Sequence, residues 1–444
     1  MKLRSISSVN LASWLVAAVL ALVPLQGFLT VWGSSLIGGY TALRLGDDAL
    51  LLVLLTVTGV WLVRDAALRA WLANSLLVRL ILLYAALSLL LGLVALLKGE
   101  VTAPALVYGL LVNLRFLAWF LAVLLVAQRS SFLGRWWPRL LLAPALLVVI
   151  FATLQYTILP HDFLAHFGYN AAQNIAPIET INHNSNYIRV QSTLRGANPL
   201  GAYLVVVLSA LGVLFARGKR RLVCAAFGAV ALFALYASGS RSAWIGAVAS
   251  LAVVACFQLQ TRRARLLVGG IALGAVVAAG SLLFALRGNV ALQNHVLHTQ
   301  KNSVVSVSSN DLHVDALENG IKDVWYQPLG AGPGTSGPAS VHNTGHGTRL
   351  PENYYVQVAQ ETGWLGLALF AAILVLAAFE LYQQARQSRL ALAMFAALIG
   401  ISFVGLLSHV WADDTLAFTW WGLAAVAIAV PPGKTAVAKI RQAA

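Results

Sequence analysis

Two short motifs place arginines where the chain enters apolar stretches. Arg195-Gly196-Ala197-Asn198-Pro199-Leu200-Gly201 leads into one hydrophobic run, and Ser240-Arg241-Ser242-Ala243-Trp244 opens another. A guanidinium presents a planar fork of donors that fits pyrophosphate oxygens bidentately, and the pairing strengthens where the dielectric falls at a membrane boundary. An arginine at such a boundary also serves as an interfacial anchor whose stem covers apolar surface while its head stays in water. Both roles stay open for Arg189, Arg195 and Arg241. Arg115 sits near the middle of an apolar stretch, where insertion scales charge about 2.5–3.5 kcal/mol, so it requires a charged partner or a water-filled cavity.

A second group can handle protons. His342-Asn343-Thr344-Gly345-His346 is followed by Glu352-Asn353-Tyr354-Tyr355 and then by Glu361-Thr362-Gly363-Trp364-Leu365-Gly366. A neutral imidazole, with an unperturbed pKa near ~6.5, accepts a proton around neutral pH, and general-base work contributes about 10²–10⁴ in rate. Either histidine is equally readable as a solvated loop residue. His342 and His346 are four apart, but in a glycine-rich loop rather than on a helix, so zinc is not expected there. No Asp-X-Asp pair occurs on the same side, although Asp47-Asp48 and Asp413-Asp414 are adjacent acids. Cys224 and Cys256 fall in apolar runs and offer neither a ligand cluster nor a disulfide framework.

These residues must be positioned by a membrane bundle. The 444 residues are 59% hydrophobic and only 10% charged, far from the ~25% charged of soluble domains. About twelve stretches approach the ~20 apolar residues that cross a bilayer: 11–31, 49–63, 75–97, 102–127, 139–158, 198–216, 221–237, 242–258, 266–286, 363–383, 389–409 and 414–430. The first follows Lys2 and Arg4 but lacks a small-residue cleavage site, and is read as retained. The fold expected is an all-α polytopic membrane protein forming a single transmembrane domain over 1–444. With the N-terminus inside, most of the 30 basic residues fall in cytoplasmic segments, against only Asp65 and Glu380 of the 15 acidic ones. The net charge of +15 is therefore a positive-inside orientation signal and not a nucleic-acid footprint, and both termini are expected to be cytoplasmic.

Two outer loops stand out, at 159–197 and, between the ninth and tenth spans, at 287–362. All nine histidines fall on that side. Within the longer loop, Val314, Leu317, Ile321, Val324 and Trp325 have helical spacing, which predicts a helix over 311–325 with its apolar face on the bundle. The glycines of 328–338 permit tight turns and close approach to a ligand, but the segment lacks the Gly-Lys-Ser/Thr of a nucleotide loop.

The arginine motifs, Gly330-Ala331-Gly332-Pro333-Gly334, Asn353 and Gly363-Trp364-Leu365-Gly366 occur in the order seen in O-antigen ligases, and from about 185 to 430 the chain resembles that family. The family pattern is a histidine followed by Asn, Ser or Gln, nine residues, then Gly-X-X-Gly. Here Asn353 has the right spacing to Gly363, but Glu352 occupies the histidine position, while His342-Asn343 has the right pair at the wrong spacing. The resemblance implies a GT-C-like glycosyltransferase with short helices in its large periplasmic loop. It would move polymeric O-antigen from undecaprenyl pyrophosphate to a lipid A-core sugar at the periplasmic face of the bacterial inner membrane. The mechanism implied is inverting and metal-independent, without a cofactor. Arg195 and Arg241, with Arg189 and Arg115 nearby, would hold the pyrophosphate; His342, His346 or Glu352 would serve the acceptor hydroxyl. An O-antigen polymerase would use the same donor chemistry. A protein O-glycosylating member is expected to carry further C-terminal sequence. A lipid-linked glycan flippase is expected to show paired halves with broken helices.

Overall fold

In hydrocarbon, backbone N–H and C=O groups have no partner but one another, so the leucine-, alanine- and valine-rich runs wind into helices. The computed structural model describes residues 7–170, 175–181, 184–259, 261–286, 288–289, 293 and 309–429. Its helices are α1 (Ser8–Ile37), α2 (Tyr40–Arg44), α3 (Gly46–Arg64), α4 (Ala66–Asn74), α5 (Leu76–Leu97), α6 (Ala103–Arg129), α7 (Phe132–Thr157), α8 (Ala197–Arg217), α9 (Arg221–Ala237), α10 (Arg241–Gln258), α11 (Arg262–Ala285), α12 (Ser309–Tyr326), α13 (Tyr354–Gln384), α14 (Arg389–Val404) and α15 (Asp414–Ala429). His183, His295 and His298, three of the nine outer histidines, lie outside the described residues, as does part of the 287–362 loop.

Each of the twelve apolar stretches coincides with a helix. Among the described residues, however, only α1, α3, α5, α6, α7, α8, α10 and α13 are long and apolar enough to cross a membrane, eight rather than about twelve. Helices α9, α14 and α15 have 17, 16 and 16 residues, which at ~1.5 Å each fall short of a ~30 Å core. Two of them are shielded from lipid by the bundle: α15 is buried along almost its whole length, and α14 packs on α8, α10 and α15. Gly246 of α10 and Gly400 of α14 sit backbone to backbone, where a Cβ on Gly246 would lie 2.7 Å from the Gly400 carbonyl oxygen.

The fold is not purely helical. In the 159–197 loop, β1 (Glu179–Ile181) pairs antiparallel with β2 (Asn184–Arg189), with Glu179 opposite Arg189. Thr180, Ile181, Tyr187 and Ile188 favour a pleated surface, a signal too short to stand out beside the apolar spans.

The helix expected over 311–325 forms as α12 but is rotated. Its inward face carries His313, Ala316, Leu317, Gly320 and Val324, while Val314, Ile321 and Trp325 are exposed. The apolar stripe read from the sequence is thus split: Leu317 and Val324 face the protein, while Val314, Ile321 and Trp325 turn outward, as suits an amphipathic helix lying at a bilayer interface. Trp325 meets Trp364 edge-on at 5.6 Å, beside the point where α13 becomes strongly apolar.

Helix α13 is kinked at Gly363, whose φ of +68° interrupts the helical ladder. The glycine-rich segment takes up the carbonyls freed there: Ala331 and Gly332 donate to the Gln360 and Glu361 oxygens at 2.8 and 2.9 Å, and Trp364 N–H donates to Pro328. A Cβ on Gly363 would strike the Pro328–Leu329 backbone. Gly363→Ala is therefore expected to lower the melting temperature of the detergent-solubilised protein, since the left-handed conformation alone costs a non-glycine residue about 1–2 kcal/mol. An unchanged melting curve would show that the kink relaxes freely.

Candidate functional site

The end of the bundle that carries the long loops holds a network of buried charges. Asp414, the first residue of α15, pairs with two arginines: Arg195 Nη2 lies 2.5 Å from its Oδ2, and Arg115 Nη2 contacts its Oδ1. Arg115, projecting from α6, also lies 3.5 Å from Asp48 at the start of α3. Both aspartates sit in the first turn of a helix, where unpaired N–H groups favour negative charge. Asp413 caps α15, accepting the Leu416 N–H at 2.9 Å, and burial raises its pKa. The partner required by the mid-helix arginine is thus supplied by two acids remote in sequence. Beneath them Phe116, Trp411, Trp420 and Trp421 form an aromatic floor, with Phe116 and Trp421 centroids 5.4 Å apart. That floor keeps the dielectric low.

Arg195 faces both ways. One edge of its guanidinium is held by Asp414, and the residue also lines a cavity of about 350 Å³ with Tyr40, Tyr169, Glu179 and Gln191. Burial, then the neighbouring Arg44, push its pKa down to about 10, so it stays protonated at neutral pH. Arg44, on α2, lies over the Tyr108 ring at 5.6 Å.

Arg189 is engaged by the protein. Its Nε donates to the Ser238 carbonyl at 3.0 Å, its Nη2 to Asn198 Oδ1 at 2.6 Å, and its Nη1 lies 3.7 Å from Glu179. Glu179 in turn accepts the Ala197 N–H at the start of α8. Arg189 therefore ties the hairpin to α8 and to the α9–α10 turn. Arg241 begins α10 immediately after that turn. Gly201 lets the two helix starts touch, since a Cβ there would lie 2.7 Å from that of Ser240. The small residues of the two arginine motifs thus bring α8 and α10 together and set Arg195 and Arg241 at one end of the bundle.

His342 ends a short 3-10 helix, its ring 4.8 Å from Tyr108 and its carbonyl accepting the Thr102 hydroxyl at 3.0 Å. One aromatic ring therefore separates it from Arg44. His346 lines a different cavity of about 330 Å³ with Glu100, Gln327, Thr335, Asn343 and Arg349. Glu352 reaches neither histidine. Its carboxylate instead contacts Nδ1 of His313, on the inward face of α12. Burial lowers the pKa of His313, and Arg241 and Arg189 lower it further. The identity of this partner was hidden because His313 falls outside the apolar stripe by which the helix was recognised. Among the described residues no group of three or more His, Cys, Asp or Glu side chains is arranged to hold a metal ion.

The glycine-rich segment packs closely on helices, and its Ala331 and Thr335 also line the cavity that holds His346. Residues 331–337 are buried, Gly334 N–H donates to Glu361 Oε1 at 2.7 Å, and Asn113 Nδ2 donates to Oε2 of the same carboxylate at 2.5 Å. A Cβ on Gly334 would meet the α6 backbone at Ala105 and Leu106. Asn353, the matching residue of the family pattern, caps α13 by accepting the Tyr355 and Val356 N–H groups, and its Nδ2 donates to the Leu406 carbonyl at 2.9 Å.

Removing one partner of a buried ion pair leaves the other charge uncompensated, at about 3–5 kcal/mol. Asp414→Ala leaves Arg195 without its acid and Arg115 with Asp48 alone, and is expected to lower stability by about that order, read as a fall in melting temperature in detergent. A variant that melts like the wild type would mean that water already solvates the pair.

No curated protein matches the chain. Residues 226–371 match a family model described as O-antigen ligase. This segment contains Arg241, His313, His342, His346, Glu352 and the glycine-rich loop, while Arg195, Arg115 and Asp414 lie outside it. By this match, residues 226–371 are similar to the O-antigen ligase family, and eight described helices long and apolar enough to cross a membrane make the chain a multi-pass membrane protein.

Proposed function

We propose that the protein is an O-antigen ligase, transferring polymeric glycan from undecaprenyl pyrophosphate to a hydroxyl of lipid A-core. The observation that carries this reading is Arg195, a charged guanidinium anchored by Asp414 and bordering a cavity at the loop end of a membrane bundle. A lipid pyrophosphate donor has an apolar tail that stays in the bilayer and a dianionic head that needs cationic donors at its edge. Arg195 and Arg241 supply them, and Arg115 buttresses Asp414 from below. As the bond from the anomeric carbon to the pyrophosphate breaks, charge grows on the leaving oxygens. Fixed donors in a low-dielectric site stabilise that charge without having to reorganise. Arg189 contributes chiefly by holding the start of α8 in place. His342 and His346, at the rim, are placed to meet the acceptor sugar.

The charge asymmetry supports an orientation with both termini cytoplasmic and the loop end in the periplasm of a bacterial inner membrane. No cofactor or metal is invoked.

The purified protein, incubated in EDTA with undecaprenyl-pyrophosphate-linked glycan and lipid A-core, should yield glycan on lipid A-core. Lengthening of the lipid-linked chains without that acceptor would instead establish polymerase activity. Glycan that only changes leaflet would identify a transporter. Arg195→Lys keeps the charge facing Asp414 but loses the planar fork. Its turnover should fall by about tenfold or more, the equivalent of ~1.4 kcal/mol of transition-state stabilisation. Wild-type turnover in this variant would remove Arg195 from the pyrophosphate site.

A further inference from the structure

We infer that His313, held by Glu352, is the group that takes the proton from the acceptor hydroxyl. The inference rests on the glycan-transfer reading above and names the base within it. Three independent features converge on this pair. Glu352 stands directly before Asn353, where the family pattern has a histidine, so the chain lacks an imidazole at that position. The fold restores one from elsewhere: α12 turns His313 inward, in line with Leu317, Gly320 and Val324, and brings its Nδ1 onto the Glu352 carboxylate. Glu352 is also held with φ at +53°, a conformation that side-chain-bearing residues rarely adopt. It is fixed there between Pro351 and the Asn353 cap of α13.

The pairing sets the chemistry. A carboxylate at Nδ1 favours the tautomer with the proton on that nitrogen, which leaves the lone pair on Nε2. Glu352 therefore acts as a positioning residue and His313 as the base. Burial and the charges of Arg189 and Arg241 keep the imidazole neutral around pH 7. Among the described residues neither His342 nor His346 has a carboxylate partner of this kind, and their places at the rim suit contact with the acceptor sugar.

In the step itself the acceptor oxygen bonds to the anomeric carbon as its proton passes to His313 Nε2. The bond from that carbon to the pyrophosphate oxygen breaks on the opposite face, and its electron pair stays on the lipid pyrophosphate, which Arg195 and Arg241 stabilise. The imidazolium later loses its proton to water.

The test uses the full chain in lipid nanodiscs with undecaprenyl-pyrophosphate-linked glycan and lipid A-core, comparing wild type with His313→Asn, His313→Ala and Glu352→Gln. Asparagine preserves a donor to Glu352 but cannot act as a base, so it separates chemistry from folding. Both His313 variants should lose about 10²–10⁴ in kcat with little change in donor KM. Glu352→Gln should lose about tenfold or more, and the acidic limb of its kcat/KM profile should move to lower pH, because a negative charge that favours imidazolium has been removed. Full turnover in His313→Asn would show that the imidazole only props Glu352 and would overturn the assignment. So would an active His313→Ala beside a dead Glu352→Gln, which makes Glu352 the base. A wild-type protein that transfers glycan to no acceptor would sink the transfer reading itself, and this base with it.

Discussion

The carboxylate of Asp414 joins three distant parts of the chain. Arg115 comes from the middle of α6, Arg195 from the entry to α8, and Asp414 from the start of α15. A guanidinium surrounded by apolar helices cannot remain charged without a partner, because several kcal/mol of hydration are lost on burial. The arginines and the acid therefore require one another, and satisfying all of them fixes the relative positions of α6, α8 and α15. Asp48 extends the constraint to α3. The aromatic floor formed by Phe116, Trp411, Trp420 and Trp421 excludes water from below, so these charges are strongly coupled on their inner side, while Arg195 meets open space above. Such a network has little value as plain stabilisation, since well-packed apolar residues would do as well. Its placement beside a cavity is what the proposed anion site rests on.

The kink of α13 is the second constraint. Gly363 frees two carbonyls, which the glycine-rich segment satisfies, and Glu361 receives donors from that segment and from Asn113 of α6. The glycines matter because their backbones touch helices, with Gly334 against α6 and Gly330 against the kink itself. By pinning the segment from both sides, this arrangement fixes the chain on either side of it. α12 ends just before it, and the loop bearing His342 and His346 begins just after it. The motif that looks most like a ligand cradle in sequence is thus the hinge-pin of the loop architecture.

What could be read from the sequence follows from the range of each interaction. Helical stretches were legible because lipid imposes a local rule, about 20 apolar residues in succession, and the twelve stretches all coincide with helices. How many of them span the bilayer does not follow from the same rule, because α14 and α15 are surrounded by protein and need not match the bilayer thickness. That Arg115 needed a partner was also legible, since the cost arises at one position. Which partner it found was not, since Asp48 and Asp414 are distant in sequence, and the two acid pairs had been noted only for lacking a metal-binding pattern. The rotation of α12 has the same origin. Periodicity reveals an apolar stripe, yet in a membrane protein part of that stripe can face lipid, and the face that turns inward here pairs Leu317 and Val324 with His313, a residue outside the stripe.

The site divides its tasks by environment. Arg195 is half-buried and paired with an acid, so it stays charged, as the proposed leaving-group role requires. His313 is partly buried and lies near two arginines, which disfavour its charged form and preserve its capacity to accept a proton. In the proposed transfer, arginines would serve both halves of the displacement, Arg195 facing the anion that departs and Arg189 and Arg241 keeping neutral the group that receives the proton. Arg189 links the two. Bound to Asn198 and Ser238, it holds the start of α8 against the α9–α10 turn, and its charge also reaches His313. Moving this arginine would therefore disturb the proposed base and the proposed anion site together, although it need not touch either substrate.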